Sequence, residues 1–122
     1  ESSIEYRIVH ALDGYDEISL TGDVKVISPE KEELLSPHQL SEKQLDQTAI
    51  SGGNTVESSA KIFLDILKGQ GTEAQNTVVI ANSAMAIHTA FPNKTREECR
   101  EMALESLRSG KANQAFNKLL TL

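Results

Sequence analysis

Asp16 and Glu17 are adjacent carboxylates set between a turn at Asp13-Gly14 and a short apolar run beginning at Ile18. Carboxylate oxygens are hard donors, and magnesium is a hard cation that is usually held by one or two of them together with water and substrate phosphates. Consecutive side chains of an extended strand point to opposite faces, so the pair can share one ion only where the chain bends. Gly14 supplies the conformational freedom for that bend. Taken bare, an adjacent Asp-Glu pair also has a plainer reading as a solvated acidic turn, because charged side chains default to the surface. Asp16 and Glu17 are therefore the candidate metal ligands, with Mg2+ the candidate ion, and the surrounding sequence must decide between the two readings.

The rest of the chain offers little independent chemistry. His10, His38 and His88 have no metal-ligand spacing, and no Ser or Cys stands in a nucleophile motif, so no catalytic or cofactor-binding residue is assigned. Cys99 is the single cysteine; it cannot form an internal disulfide and falls on the apolar side of an expected helix, where it reads as a small buried hydrophobe. Lys61, Lys68, Arg96, Arg100 and Arg108 are interspersed with acids, the pattern of solvated faces rather than of a phosphate site. Gly52-Gly53 precedes a helix start, and although a helix N-terminus can bind an anion, glycine before a cap is ordinary turn chemistry.

The elements that must position the acidic pair divide into two halves. Ile4, Tyr6 and Ile8 alternate with Glu5, Arg7 and Val9, a period-two pattern that predicts a strand with both faces at least partly buried. Ile18 and Leu20, Val24 and Val26, and Leu34-Leu35 form three further short runs, with Pro29 to Glu32 reversing the chain between the last two. Residues 37–47 read as loop with one helical turn. From Asn54 onward the signals are helical. Asn54 with Glu57, Thr72 with Gln75 and Thr95 with Glu98 are capping boxes; Gly69 and Gly71, Pro92, and Gly110 are the corresponding stops. The expected apolar faces are Val56, Ala60, Phe63 and Leu67 on the first helix, Val78 to His88 on a second packed on several sides, and Cys99, Met102, Ala103 and Leu107 on a third. A short last helix carries Ala112, Ala115, Phe116 and Leu119.

The expected fold class is α/β, seen in this stretch as α+β: a small mixed β-sheet region followed by about four helices. A first strand buried on both faces needs helix cover on each side, which favours the trailing part of a larger α/β domain over a domain folding alone. The chain opens Glu1-Ser2-Ser3 without Met, and the expectation is that it starts inside a longer polypeptide.

Composition bounds the function classes. A length of 122 residues allows one domain or part of one, and 39% hydrophobic residues with 4% aromatics and no Trp predict an aliphatic core. The formal charge of -6 argues against nonspecific nucleic-acid or anionic-membrane binding, both of which need clustered Lys and Arg. No apolar run approaches the roughly 20 residues that span a bilayer, and no charged-then-apolar signal segment opens the chain, so a cytoplasmic location is expected.

A series of landmarks resembles the anthranilate phosphoribosyltransferases, in the same order and over nearly the whole chain: Ile8-Val9-His10, Asp13 to Gly22, Gly52-Gly53-Asn54, Asn82-Ser83-Ala84 and Leu107 to Ala112. The Asp13 to Gly22 turn and the Ser109-Gly110-Lys111-Ala112 segment are the more specific pieces. The resemblance implies that residues 1–122 are the C-terminal part of the family's α/β catalytic domain. It further implies that Asp16 and Glu17 bind magnesium beside the pyrophosphate of phosphoribosyl pyrophosphate while the anthranilate amine attacks the anomeric carbon, a step of tryptophan biosynthesis. The family's Gly-Thr-Gly-Gly-Asp phosphate loop, its anthranilate-contacting Arg and the helical N-terminal domain through which it commonly dimerises have no counterpart here, and Ala11 replaces a frequent Gly or Ser. The stretch by itself is therefore expected to be inactive. Two other readings stay open: a non-catalytic binding domain of the same fold, and an enzyme resembling pyrimidine nucleoside phosphorylases.

Overall fold

A computed structural model describes residues 3–40 and 43–122; Glu1, Ser2, Ser41 and Glu42 lie outside the described residues, and with them parts of the expected opening segment and of the 37–47 loop. The first half forms β1 (Ile8–Ala11), β2 (Val24–Ile27) and β3 (Glu32–Leu35), with a single helical turn α1 (Pro37–Leu40) and a 3-10 turn at Gln47–Ile50. The second half forms α2 (Val56–Leu67), α3 (Glu73–Ala90), α4 (Arg96–Arg108) and α5 (Lys111–Leu120). The strands lie in the order β1-β2-β3, with Ala11 opposite Val24 and Val24 opposite Leu35. The expected β-region followed by helices is present, and its sheet is antiparallel throughout rather than mixed.

Alternation sets the core. Val24 and Val26 point to one face of β2 and join Leu35, Ile18, Leu20, Leu40 and Leu45 against Ala81 and Met85 of α3. A second face of the same helix, Ile80 and Ala84, packs on Cys99 and Ala103 of α4. The small side chains expected on α3 thus let it contact the sheet side and α4 at once. Cys99 is 0% exposed, as its place in the apolar stripe requires.

Four local expectations are corrected. The first strand begins only at Ile8, and Ile4, Tyr6 and Ile8 are exposed, so its second face is not buried. The ladder explains this: Ile8 pairs with Ile27, the last residue of β2 before the turn closed by the Ser28 N–H donating to the Lys31 carbonyl, which leaves residues upstream of Ile8 without a partner strand. Ile18 and Leu20 are buried but form no strand, because their backbone groups are bound by a side chain and by a distant loop. The first long helix is capped by Thr55 with Ser58, one residue beyond Asn54 and Glu57. Its predicted face is also open: Val56 is 82% exposed and Ile66 is the one buried residue of α2, while Phe63 meets Phe116 of α5 edge-on at 5.0 Å.

The other two capping boxes form as read. The Thr95 hydroxyl accepts from the Glu98 N–H at 3.0 Å, and the Glu98 carboxylate accepts from the Thr95 N–H at 3.4 Å. Thr95→Ala is expected to lower unfolding stability by about 1 kcal/mol, with Thr95→Ser close to the parent, measured by denaturant unfolding. Gly110, at φ +83, joins α4 to α5 in the left-handed region that glycine enters without steric cost.

Candidate functional site

Residues 12–23 link β1 to β2 and carry the acidic pair on a loop fixed at several points. At its base, Leu12 N–H donates to the Asp23 carbonyl at 3.0 Å and Gly14 N–H to the Ala11 carbonyl at 3.1 Å. Gly14 sits at φ +99, the turn conformation that the spacing demanded. The Asp13 carboxylate accepts from the Ser19 hydroxyl at 3.3 Å and from the Thr21 hydroxyl, so it holds the two limbs of the loop together.

The far limb is tied to the body of the molecule. Leu20 is 1% exposed and adopts φ 61, unusual for a side chain with a Cβ; Leu45 N–H donates to its carbonyl at 2.8 Å and Gln44 Nε2 donates to the neighbouring Thr21 carbonyl at 2.7 Å. Burial and these bonds hold the strained residue in place. Asn82 of α3 clamps Ile18 from both sides: Ile18 N–H donates to Oδ1 at 3.0 Å, and Nδ2 donates to the Ile18 carbonyl at 2.8 Å and to the Val78 carbonyl at 2.9 Å.

Between these anchors Asp16 and Glu17 are exposed, and neither carboxylate makes a hydrogen bond or ion pair among the described residues. Both line a pocket of about 300 Å³ with Tyr15, Ile18, Ser19, Ile50 and Val78. The described residues contain no cluster of three or more His, Cys, Asp or Glu that could enclose a metal. Two carboxylates at an open pocket fit a cation that keeps water and takes its remaining donors from a substrate, which is the habit of magnesium and not of a closed zinc or calcium site. Asp13 is not available in the same way, since two hydroxyls occupy it.

The remaining sequence candidates sort clearly. Gly53 lies at φ +84, where an added Cβ would meet Ser58 Oγ at 2.6 Å, and the Gly52 carbonyl accepts from Ser59 Oγ at 2.6 Å; this is turn and cap chemistry, as read. His10 lies on β1 opposite Lys25. His38 and His88, by contrast, reach one pocket with Arg96 and Arg100, although no linear spacing relates them. Helical periodicity carried part of that signal, because Arg96 and Arg100 are one turn apart on α4. The role of Asn82 was also legible in part: it is a primary amide within a helix of small apolar residues, and such a group, once partly buried, needs partners.

The family described as "Glycosyl transferase family, a/b domain" matches residues 4–113. The chain is 48% identical over 121 residues to the anthranilate phosphoribosyltransferase of Flavobacterium johnsoniae, covering 99% of this chain and 36% of that protein. It is 52% identical over 117 residues to that of Christiangramia forsetii, covering 96% and 35% respectively. Among solved structures, the anthranilate phosphoribosyltransferase of Thermus thermophilus superposes with a TM-score of 0.78 at 25% identity, covering 92% of this chain and 33% of that one. The chain thus spans about a third of the length of the relatives it matches. No described helix is long and apolar enough to cross a membrane.

Proposed function

The chain belongs to the glycosyl transferase family through its a/b domain, and on that premise we propose that it is the C-terminal part of an anthranilate phosphoribosyltransferase, which moves the phosphoribosyl group of phosphoribosyl pyrophosphate onto the anthranilate amine. The observation that carries the reading is the Asp16-Glu17 pair, exposed and unpartnered among the described residues on a loop anchored on both sides. The activity for which the relatives are named supports the substrates, and the donor set supports magnesium.

The chemistry assigns this chain a narrow task. Displacement of pyrophosphate needs charge neutralisation on the leaving group and a held alignment of amine and sugar, more than it needs a covalent nucleophile. Asp16 and Glu17 are the residues that would hold the ion; a bound magnesium supplies positive charge against the departing pyrophosphate. Asp13, Ser19 and Asn82 tie down the loop backbone on either side of the pair, while the two carboxylates themselves stay free to meet the ion. No residue of the chain is given a proton to move. The glycine-rich phosphate loop and the anthranilate contacts belong to the rest of the polypeptide, as does a dimer interface, so the 122-residue stretch alone is expected to turn over no substrate.

The test is consumption of anthranilate, followed by its fluorescence, with the full-length protein, phosphoribosyl pyrophosphate and magnesium. Fluorescence should fall in the complete mixture, and a chelator added at the start should prevent the fall. A protein that leaves anthranilate untouched, or that cleaves a pyrimidine nucleoside with phosphate instead, would overturn the proposal.

A further inference from the structure

A pocket between α1, α3 and α4 encloses about 320 Å³ and shares no lining residue with the pocket beside Asp16 and Glu17. Its floor is apolar, made by Leu40, Ala81, Ala84 and Met85, all buried. Its rim carries His88 from α3 and Arg96 and Arg100 from α4, with Glu97 as the one carboxylate that lines it among the described residues. That volume is at the lower end of the range for small-ligand sites, and an apolar body with a few convergent polar groups is their usual composition.

The cationic rim is incompletely matched. Arg96 Nη2 reaches Glu33 Oε1 at 3.5 Å, but the same carboxylate oxygen is 3.2 Å from Lys31 Nζ, so one acid stands between two cations. Arg100 Nη1 lies 3.9 Å from Glu101, the edge of ion-pair range. Arg96 Nε, and Arg7 Nη1 nearby, are buried N–H groups without a hydrogen-bond partner among the described residues. Buried donors of this kind are normally paired, and leaving one unpaired costs about 1–3 kcal/mol. The His88 imidazole is held below its ordinary pKa, first by burial and then by the Arg7 and Arg96 charges, with the Lys94 backbone and Glu33 acting the other way. The corner therefore carries a positive potential that a bound anion would relieve.

We propose that this pocket is a second binding site, which takes a small organic acid with its carboxylate at the Arg96, Arg100 and His88 rim and a compact apolar body on Ala81, Ala84 and Met85. The planar fork of a guanidinium matches a carboxylate. The apolar floor gives a bare phosphate nothing to contact, and Glu97 opposes a dianion more strongly than a monoanion. The inference is independent of the phosphoribosyl reading, since it uses none of the loop residues.

Cyclohexanecarboxylate is a suitable probe, because it carries the acid and the apolar body without an amine. With the full-length protein labelled at methionine methyl and histidine ring carbons, and the Met85 signal assigned by Met85→Leu, titration should shift Met85 and His88 saturably, with a dissociation constant on the order of 1 mM. The neutral cyclohexanecarboxamide and inorganic phosphate should each bind at least about tenfold more weakly, and Arg100→Gln should weaken the acid about tenfold while Asp16→Asn with Glu17→Gln leaves it unchanged. Arg96→Gln should act similarly, and Arg100→Gln keeps the test decisive if loss of the Glu33 pair unfolds that variant. Absence of a saturable shift, equal binding of the carboxamide or of phosphate, or an unaltered affinity in Arg100→Gln would overturn the proposal.

Discussion

Asp16→Asn with Glu17→Gln is expected to lower magnesium-dependent phosphoribosyl transfer by the full-length protein about 10³-fold, roughly 4 kcal/mol of transition-state stabilisation. The substitutions keep size and remove charge. Both side chains are exposed and bind nothing else among the described residues, so no packing or hydrogen bond is broken and unfolding stability should stay within about 0.5 kcal/mol of the parent. Loss of activity without loss of stability is what separates metal ligands from a solvated acidic turn. Each single variant should fall about 10–100-fold and recover partly at raised magnesium, because one carboxylate still recruits the ion. Anthranilate fluorescence at two magnesium concentrations, alongside thermal unfolding, reads both quantities. Near-parent activity in the double variant would return the pair to the surface.

The second large effect lies at the Asn82 clamp on Ile18, the residue that follows the acids. Asn82→Leu removes three hydrogen bonds and leaves the Ile18 N–H and carbonyl without their partner in a partly buried position. At about 1–3 kcal/mol for each unsatisfied group, the variant should lose roughly 3 kcal/mol of unfolding stability. The local consequence is sharper than the global one. Freed of its clamp, the loop from Asp16 to Leu20 should exchange its Ile18 amide hydrogen much faster than the α3 amides, and the magnesium concentration for half-maximal activity should rise. Asn82→Asp keeps an acceptor for the Ile18 N–H but sets a second carboxylate oxygen against the Ile18 and Val78 carbonyls, and should be destabilised at least as much as Asn82→Leu. Unchanged Ile18 protection in Asn82→Leu would show that burial of Ile18 and Leu20 alone fixes the loop.

Helix starts and stops were the parts of the fold most legible in the residues, because Thr72, Thr95 and Gly110 act through bonds within a few positions of themselves. Thr55 displaced Asn54 by one residue for the same local reason, a choice between neighbouring hydroxyl and amide caps. The strands were harder. Ile4 to Ile8 alternates well, yet strand pairing is decided by β2, which ends at Ile27 and offers upstream residues nothing to bond. Ile18 and Leu20 stand out in the sequence as a short apolar run, but their hydrogen bonds come from Asn82 and Leu45, 64 and 25 positions away for the two pairs (82 − 18 and 45 − 20), which no local pattern encodes. The candidate ligands were visible from the start through residue type and the glycine turn. What the sequence left out was the clamp that holds them, and the meeting of Arg96, Arg100 and His88 over an apolar floor, since both depend on which face α3 and α4 turn toward each other.

On the proposed function, Asp16 and Glu17 hold a divalent ion together with the pyrophosphate of the substrate. Manganese suits the same oxygen donors as magnesium and is visible by electron paramagnetic resonance, so its binding can be titrated directly to the full-length protein in the presence of pyrophosphate. Asp16→Asn with Glu17→Gln is expected to weaken this pyrophosphate-dependent manganese binding by at least about tenfold, about 1.4 kcal/mol or more, while the protein remains folded. Equal manganese affinity in parent and double variant, with pyrophosphate present, would contradict it.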